Sequence, residues 1–487
     1  MNRLSNHTRA AIIFLFSATL AVTSLSLVAF AGLKAAAVAI FLSLVFGLGS
    51  FVSFEVTLMG LLWAAPLFGL LDNLLGVRGA STYFPLFWSA LAVHSFRGFW
   101  KRAELGSDFP RSVSWVFFGY LLSFALSVWA VHPFNGLSAV VSDAPWGKLT
   151  AKHALGWIAL SLVSSAAGPF VLFWLLTSLR KIPLRWIIYS MLGGLLVPCF
   201  LALLQYLHLT SLGLVHVFVV SGTPQYNGTF ADPNSMGLAA ALALPFVIAA
   251  RYDRGPMIWR WPLVGATLFM VFISGSRSAL IISAVSVVLF ITNKGRFRRR
   301  IVAYVAVGFV LLAGVFLCRK SAPALAESRA LIEIQKVVNI LKGQASPNSI
   351  VGDRKKLWRA GWVTFKENPI LGVGLGSYLF RMPRYRNEIG DVFNDTCANQ
   401  YLQIAAEQGL VGLILFLLVI GTALWEYLKS PDGKESVYAD AAGAAVVGLV
   451  VSFLFGAHLT GNVVNMLFWI FMGILFSVGM QRNEHTE

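Results

Sequence analysis

Residues 35–54, AAAVAIFLSLVFGLGSFVSF, contain no charged side chain and are long enough to cross the hydrocarbon core of a bilayer as one helix. Similar apolar runs recur along the 487-residue chain, in which 57% of the residues are hydrophobic and only 12% are charged. The mean hydropathy is +0.74, far outside the globular range. Strands of a membrane barrel would instead alternate apolar and polar residues over about ten positions. The sequence therefore predicts an all-α, polytopic integral membrane protein.

Apolar segments predict about 12–14 transmembrane helices. The candidate spans are residues 10–32, 35–54, 56–76, 81–97, 112–131, 153–178, 186–208, 235–250, 261–275, 277–292, 301–318, 400–428, 437–459 and 463–481. The first run follows two arginines as a signal peptide does, but no small-residue cleavage site comes after it, so we interpret it as a span. The count can change by one or two, because residues 35–76 are nearly continuous apolar sequence.

The positive charges predict the orientation. If the N-terminus is cytoplasmic, so is the C-terminus, and twenty of the 38 Lys and Arg residues then fall in inner segments against five in short outer ones. The other thirteen lie in one long outer loop, and long loops are exempt from the positive-inside rule. We therefore predict N-terminal transmembrane helices over residues 1–318, a large, mainly helical outer loop domain over 319–398, and C-terminal transmembrane helices over 399–487.

The net charge of +17 does not indicate a nucleic-acid partner. Much of it lies in short inner loops, above all residues 294–300, where topology and anionic lipid explain it. The outer loop is different. It contains thirteen basic residues and only seven acidic ones, and topology does not explain this excess of positive charge. A basic loop held against a bilayer, on the side away from ATP, suits a substrate that arrives as a lipid-linked phosphate or diphosphate.

No metal or cofactor site is expected. Three cysteines and eight scattered histidines do not form a disulfide framework or a metal-ligand pattern, and nucleotide-binding loops are missing from the sequence. Cys318 and Cys397 bracket the outer loop, and a bridge between them would pin its base.

Two helices and a turn are predicted inside the loop. Residues 324–342 have the apolar spacing of an amphipathic helix, and a second helix is expected from Arg354 to Lys366, ending before Asn368-Pro369. The glycines of residues 372–376 predict a tight turn. Arg381, Arg384 and Arg386 follow close together, and they either grip phosphate oxygens or form a solvated, headgroup-facing stretch.

Two further outer segments carry polar residues. In residues 225–235, Asn227-Gly228 and Asp232-Pro233-Asn234 mark turns, and the Asn234-Ser235 pair can cap the next helix. Arg277 lies at the outer hinge of two apolar runs, against the positive-inside bias. An ionisable group in that place is a functional candidate, with a headgroup anchor as the alternative.

The order of several motifs resembles the O-antigen ligase and O-antigen polymerase (Wzy-type) superfamily of bacterial inner-membrane glycosyltransferases. The motifs are GTFxDPN at residues 228–234, SGSRSAL at 274–280, GDR at 352–354 with Trp358 and NPILGVG at 368–374, and NQYLQ at 399–403 with EQGLVG at 407–412. The resemblance extends over about residues 220–415, and the first 200 residues match only as hydrophobic spans.

This resemblance implies a metal-independent, inverting glycosyltransferase of the inner membrane. It would take a glycan from undecaprenyl diphosphate on the periplasmic face and join it to an acceptor sugar. By the same resemblance Arg277 and Arg354 bind the diphosphate. Ligases of the family carry a histidine immediately before the Asn-x-Tyr-Leu motif, where this chain has Ala398. Asp395 or Asp391 could accept the proton instead, although Asp395 could equally pair with a loop arginine, and Glu407 is interpreted as structural.

We therefore predict polymerisation of lipid-linked repeat units for O-antigen or exopolysaccharide. The alternatives are a ligase that delivers glycan to lipid A core or to protein, and a flippase or exporter of lipid-linked sugars. The last is disfavoured because Glu55, Asp72 and Asp440 are nearly the only acidic groups near the spans and lie toward their ends.

The expected partners are the undecaprenyl-diphosphate-linked oligosaccharide, an acceptor glycan on a lipid-linked repeat or lipid A core, membrane lipids and a chain-length regulator protein, with no nucleic acid and no cofactor. The predicted catalytic residues are Arg277, Arg354 and Asp395, and the predicted substrate contacts are Asn227, Asp232, Asn234, Arg359, Arg381, Arg384, Arg386, Asn399 and Tyr401.

Overall fold

The architecture comes from a computed structural model. It describes residues 6–31, 33–75, 83–100, 116, 119–124, 126, 142–144, 147–149, 184–209, 218–220, 223–230, 232–250, 260–292, 335, 336, 339, 342, 344, 354–381, 396–428, 436–460 and 462–486. The predicted spans 153–178 and 301–318, most of 112–131 and nearly all of the predicted helix 324–342 lie outside these residues.

Helices dominate the described part of the chain. In chain order they are α1 (Asn6–Ala31), α2 (Leu33–Val52), α3 (Phe54–Ala64), α4 (Phe68–Leu74), α5 (Tyr83–Trp100), α6 (Leu184–Gly194), α7 (Leu196–Tyr206), α8 (Pro233–Ala249), α9 (Arg260–Ile273), α10 (Arg277–Thr292), α11 (Arg354–Glu367), α12 (Tyr378–Arg381), α13 (Gln400–Leu428), α14 (Ser436–Ser452) and α15 (Asn462–Thr486). Two short antiparallel hairpins add strands β1 (Ser142–Ala144) to β2 (Gly147–Leu149), and β3 (Phe218–Val220) to β4 (Thr223–Gln225).

Four helical stretches of the described residues are long and apolar enough to cross a membrane. They are Leu33–Val52, Phe54–Asp72, Leu184–Tyr206 and Gln400–Leu428. The helical, membrane-spanning class of the protein is thus confirmed, whereas the total of 12–14 spans stays a prediction. One predicted span was too long, because the helix expected over 437–459 ends at Ser452 and a separate 3₁₀ turn follows at His458–Thr460.

The N-terminal helices pack through small side chains. The buried residues of α2 are Ala35, Ala39, Ser43, Gly47 and Ser50, which recur almost every four positions and form one narrow face. Gly47 lies opposite Val93 of α5, and the Ser50 hydroxyl donates to the Ala90 carbonyl at 2.6 Å. Small residues let helix backbones approach closely where lipid provides no hydrophobic driving force.

The chain divides into two compact units. The first contains Met1–Gly194, Asp353–Pro431 and Phe453–Glu487, and the second contains Leu195–Gly352 and Asp432–Ser452. The domain limits predicted from the sequence, at residues 318 and 398, stay a prediction.

Each unit has its own core. In the first, Tyr120, Phe416, Phe453, Phe468 and Trp469 form a chain of ring contacts with centroids 5.2–6.1 Å apart. In the second, α8 is buried along almost its whole length and packs against α9, α10 and α14. A helix that is apolar on every side belongs in the centre of a bundle.

A kink divides α13 at Gly409. This glycine has φ of 67° and interrupts the helix. The backbone N–H groups that follow it turn to a neighbouring segment: Leu410 donates to the Pro369 carbonyl at 2.8 Å, and Val411 donates to that of Ile370 at 3.2 Å. A Cβ at position 409 would overlap the Ile370 carbonyl. Only glycine therefore fits both the left-handed backbone and the close approach.

We expect Gly409→Ala to destabilise the protein by roughly 2 kcal/mol or more, because left-handed strain and a backbone overlap add together. The measurement is the thermal unfolding midpoint of the purified full-length protein. Gly421→Ala is the matched control, since it lies in the same helix and a Cβ there has no atom within 4 Å. Equal midpoints for the two variants would show that the kink does not need glycine.

Candidate functional site

The helix predicted at Arg354–Lys366 is confirmed as α11, which begins at Arg354 and ends at Glu367. Its buried face, made of Leu357, Ala360, Gly361 and Thr364, packs on α13. At Gly361 the approach is closest, because a Cβ there would lie 2.7 Å from the Cys397 sulfur. Arg354 is half-buried at the start of this helix.

Cys397 is buried, whereas Cys318 lies outside the described residues, so the proposed bridge stays a prediction.

The segment before α13 is held by its own polar groups. The Asn399 side-chain oxygen accepts from the Leu402 N–H at 3.0 Å, and its amide donates to the Leu454 carbonyl at 3.2 Å. The Gln403 side-chain oxygen accepts from the Cys397 N–H at 2.8 Å. Asn399 therefore caps α13. The sequence predicted it as a substrate contact and did not predict this structural role.

The backbone is unusual at Ala398, where the resemblance predicts a histidine in ligases. Its φ is 51°, in the left-handed region that residues with a Cβ seldom adopt. The Trp358 indole donates to the Ala398 carbonyl at 3.2 Å and fixes this conformation from α11. Strain of this kind tends to accumulate at functional sites. The motif thus keeps a constrained backbone at a position where the imidazole is missing.

A cavity with both polar and apolar lining lies beside the same motif in the first unit. Its volume is about 40 Å³, which is room for about two or three water molecules. Gln400, Gln403, Glu407, Gln408 and Asn465 contribute polar side chains to its lining, and each of them is buried. The sequence interpretation did not single out this set, although amides recurring at Gln400, Gln403 and Gln408 in an apolar segment were a signal.

Glu407 ties the cavity wall to the glycine-rich turn. Its carboxylate accepts hydrogen bonds from the backbone of Gly376 and Tyr378 and from the side chain of Gln403. The turn itself is confirmed, with positive φ at Gly372, Gly374 and Gly376. A buried carboxylate is stable only when its oxygens are hydrogen-bonded, and here two of the three donors are backbone groups of the loop.

In the second unit, one buried amide organises the loop that contains Asn227. The Gln205 side-chain oxygen accepts from the N–H groups of Asn227 and Gly228, at 3.2 and 2.9 Å. Its amide donates to the Asn227 side-chain oxygen at 2.9 Å. Burial raises the pKa of the adjacent Tyr226 phenol, and the neighbouring Tyr206 adds to the rise, so Tyr226 stays protonated at neutral pH. Gln205 was missed from the sequence, although it is the only amide in α7.

The start of α8 corrects a prediction. Asp232, rather than the Asn234-Ser235 pair, caps this helix, because its carboxylate accepts from the Ser235 N–H at 3.0 Å and also from the Ser235 hydroxyl. Asn234 is exposed. The cap lies two residues earlier than expected because Pro233, which lacks an N–H, fits the first helical position.

Arg277 begins α10 directly after a tight turn. Gly275 has φ of 62°, and the Ser276 hydroxyl accepts from the Ala279 N–H at 3.4 Å, so Ser276 acts as the cap. The Gln225 amide donates to the Ser274 carbonyl at 3.2 Å and joins this turn to the loop that carries Asn227. Arg277 is half-buried and lies at a helix N-terminus, where the helix dipole favours anions.

The predicted site residues therefore fall into three groups. Arg277, Asn227, Asp232 and Asn234 belong to the second unit, and Arg354, Arg359, Arg381, Asn399 and Tyr401 belong to the first. Arg359 is exposed, while the Arg381 guanidinium lies 3.7 Å from the Glu367 carboxylate. The Tyr401 ring lies edge-on to Phe453 at 5.9 Å. Asp395, Arg384 and Arg386 lie outside the described residues.

The fold and these motifs are those of a helical integral membrane protein, and residues 262–417 are similar to the family model described as O-antigen ligase. The resemblance to the O-antigen ligase and polymerase superfamily is thus confirmed. The chain is also 25% identical to the exopolysaccharide production protein ExoQ of Rhizobium meliloti (strain 1021), over 52% of this chain. It spans 57% of the length of that relative.

We expect Gln205→Leu to lower both stability and activity, because three polar groups of the loop at residues 227–228 lose their partner and each costs about 1–3 kcal/mol when buried unpaired. The thermal midpoint of the purified protein and glycan production in cells are the measurements. Leu203→Met, an exposed position in the same helix, is the control and should leave both unchanged. A midpoint equal to that of the unmodified protein would mean that the loop does not depend on this amide.

Proposed function

We propose that the protein is a membrane glycosyltransferase that polymerises lipid-linked oligosaccharide repeats for exopolysaccharide or O-antigen. The donor is an undecaprenyl-diphosphate-linked oligosaccharide at the periplasmic face of the bacterial inner membrane. The acceptor is the terminal sugar of another lipid-linked repeat. Both termini of the chain lie in the cytoplasm, and a chain-length regulator protein is a further partner under this proposal.

One observation supports this function most. A single match to the O-antigen ligase family covers residues 262–417, and these residues include both Arg277 and Arg354. Each arginine begins a helix, α10 or α11, and each is half-buried rather than extended into solvent. Guanidinium groups hold phosphate oxygens in a bidentate manner, and a diphosphate offers enough oxygens for two of them.

The proposed reaction is an inverting displacement. The acceptor hydroxyl oxygen forms a bond to the anomeric carbon of the donor, and the bond from that carbon to the diphosphate oxygen breaks. The leaving undecaprenyl diphosphate carries away the electron pair. Arg277 and Arg354 stabilise the charge that develops on it, an effect that is strong in a site of low dielectric constant. Asp395 accepts the hydroxyl proton as the general base.

Ala398 favours polymerisation over ligation. The ligase histidine would supply an imidazole at this position, and a methyl group cannot take a proton. The similarity to a protein named for exopolysaccharide production points in the same direction. A ligase that uses another base and delivers glycan to lipid A core or to protein is the second candidate, because the matching family is described as O-antigen ligase.

Arg277→Ala and Arg354→Ala should each abolish glycan transfer, because the departing diphosphate loses a charge-stabilising partner. Membrane insertion and the thermal midpoint should change little. Transfer is measured with purified protein and lipid-linked donor, by separation of the glycan products. Arg185→Ala is the control, since this exposed arginine also lies in the first turn of a helix and has no assigned role. Full turnover in either site variant would remove that arginine from the mechanism.

Deletion of the gene should leave single repeats in place of long glycan chains, because polymerisation precedes the joining of finished chains to an acceptor. Surface and secreted glycans resolved by size on a gel provide the measurement, and the intact gene on a plasmid provides the control. Loss of every repeat from the lipid A core, with long lipid-linked chains accumulating, would contradict polymerisation and indicate a ligase.

A further inference from the structure

The face of α11 that points away from α13 carries a row of cations with a tryptophan among them. Lys355, Arg359, Trp362 and Lys366 recur at intervals of four, three and four residues, so they lie along one side of the helix. All four are exposed, and half of the Trp362 surface is accessible. We name these four residues the basic row. The opposite side is the buried face that packs on α13.

Trp362 is a structured part of this row. The Lys366 ammonium lies 5.6 Å from the centre of the Trp362 ring, and the Phe365 ring lies 5.4 Å from it. A large aromatic side chain that is half exposed between cations is typical of the headgroup region of a bilayer. There the ring meets the acyl boundary and the cations reach phosphate.

The end of α11 lies where a stretch of α13 with exposed apolar side chains begins. Pro369 and Ile370 accept the hydrogen bonds of Leu410 and Val411, immediately after the kink. From Leu410 onward α13 exposes apolar side chains such as Ile414. Residues 410–428 extend over about 28 Å as a helix, close to the thickness of the hydrocarbon core. Ile370 is 66% exposed at this end of α11. If residues 410–428 span the bilayer, the C-terminal end of α11 lies at the bilayer surface.

We propose that the basic row is a binding surface for anionic phospholipid headgroups. The helix contains five Lys and Arg residues against Glu367 alone, and that carboxylate lies 3.7 Å from the Arg381 guanidinium. Negative headgroups complement this charge, and each cation near an anionic surface strengthens association roughly fivefold. Binding here would hold Arg354, the first residue of the same helix, at a fixed height above the acyl chains. The lipid site itself does not depend on the proposed transferase activity.

The test is a titration of the purified full-length protein in neutral detergent with short-chain phosphatidylglycerol, followed by the shift of the thermal midpoint. Phosphatidylcholine with the same acyl chains is the neutral reference. We expect phosphatidylglycerol to raise the midpoint, and Lys355→Gln with Lys366→Gln to weaken its apparent affinity about 25-fold. Lys34→Gln with Lys342→Gln, which removes two other exposed lysines, should change it less than about twofold.

Three outcomes would overturn the proposal. The first is an equal midpoint response to both lipids, and the second is an equal phosphatidylglycerol affinity of the double variant and the unmodified protein. The third is that the protein binds a soluble anionic glycan instead of the lipid. If the double variant does not fold, the unmodified protein still provides a test, because added salt should weaken phosphatidylglycerol binding and leave phosphatidylcholine unaffected. Arg277→Ala should bind phosphatidylglycerol normally. Failure of the transferase proposal is thereby separated from failure of this one.

Discussion

The interruption of α13 at Gly409 is the constraint on which the first unit depends. Inside or beside a bilayer, backbone groups released by a break in a helix must find partners within the protein. Here the turn at residues 369–374 supplies them. Its carbonyls accept from the residues after the break, and its own N–H groups at Val373 and Gly374 donate back to Ala406 and Glu407, both at 2.9 Å. These reciprocal hydrogen bonds join α13, a predicted span, to the loop that precedes it.

These reciprocal hydrogen bonds between the turn and α13 explain why polar residues near the start of α13 can be buried. Once the backbone of the turn is fixed, the N–H groups of Gly376 and Tyr378 converge on the Glu407 carboxylate, and Gln403 completes the set. Gln403 also accepts from Cys397 at 2.8 Å, so the cavity wall and the segment before α13 share one network. A fully connected buried network favours a single arrangement. The second unit reaches the same result with the Gln205 amide alone.

Local signals were predictable from the sequence, and long-range partners were not. The second loop helix was placed within one residue of its observed end, because Asn368-Pro369 stops a helix by local sterics. The helix expected up to residue 459 ends at Ser452 instead, where the next carbonyl, that of Phe453, accepts from the Gln400 N–H at 2.8 Å, a partner far away along the chain. Gln205 was missed for the same reason, since its partners at residues 227 and 228 leave no trace in the periodicity of α7.

The backbone around Ala398 also limits where a general base can come from. Histidine and asparagine adopt a left-handed backbone more often than alanine does, so the backbone at Ala398 would also suit the histidine that the resemblance predicts in ligases. Glu407 follows Ala398 in the sequence, but its carboxylate accepts from three hydrogen-bond donors, which fits its interpretation as structural. A base that works in the reaction must be able to exchange its partner for the acceptor hydroxyl. The carboxylate of Asp395, which comes three residues before Ala398, stays the proposed proton acceptor, with Asp391 as the alternative.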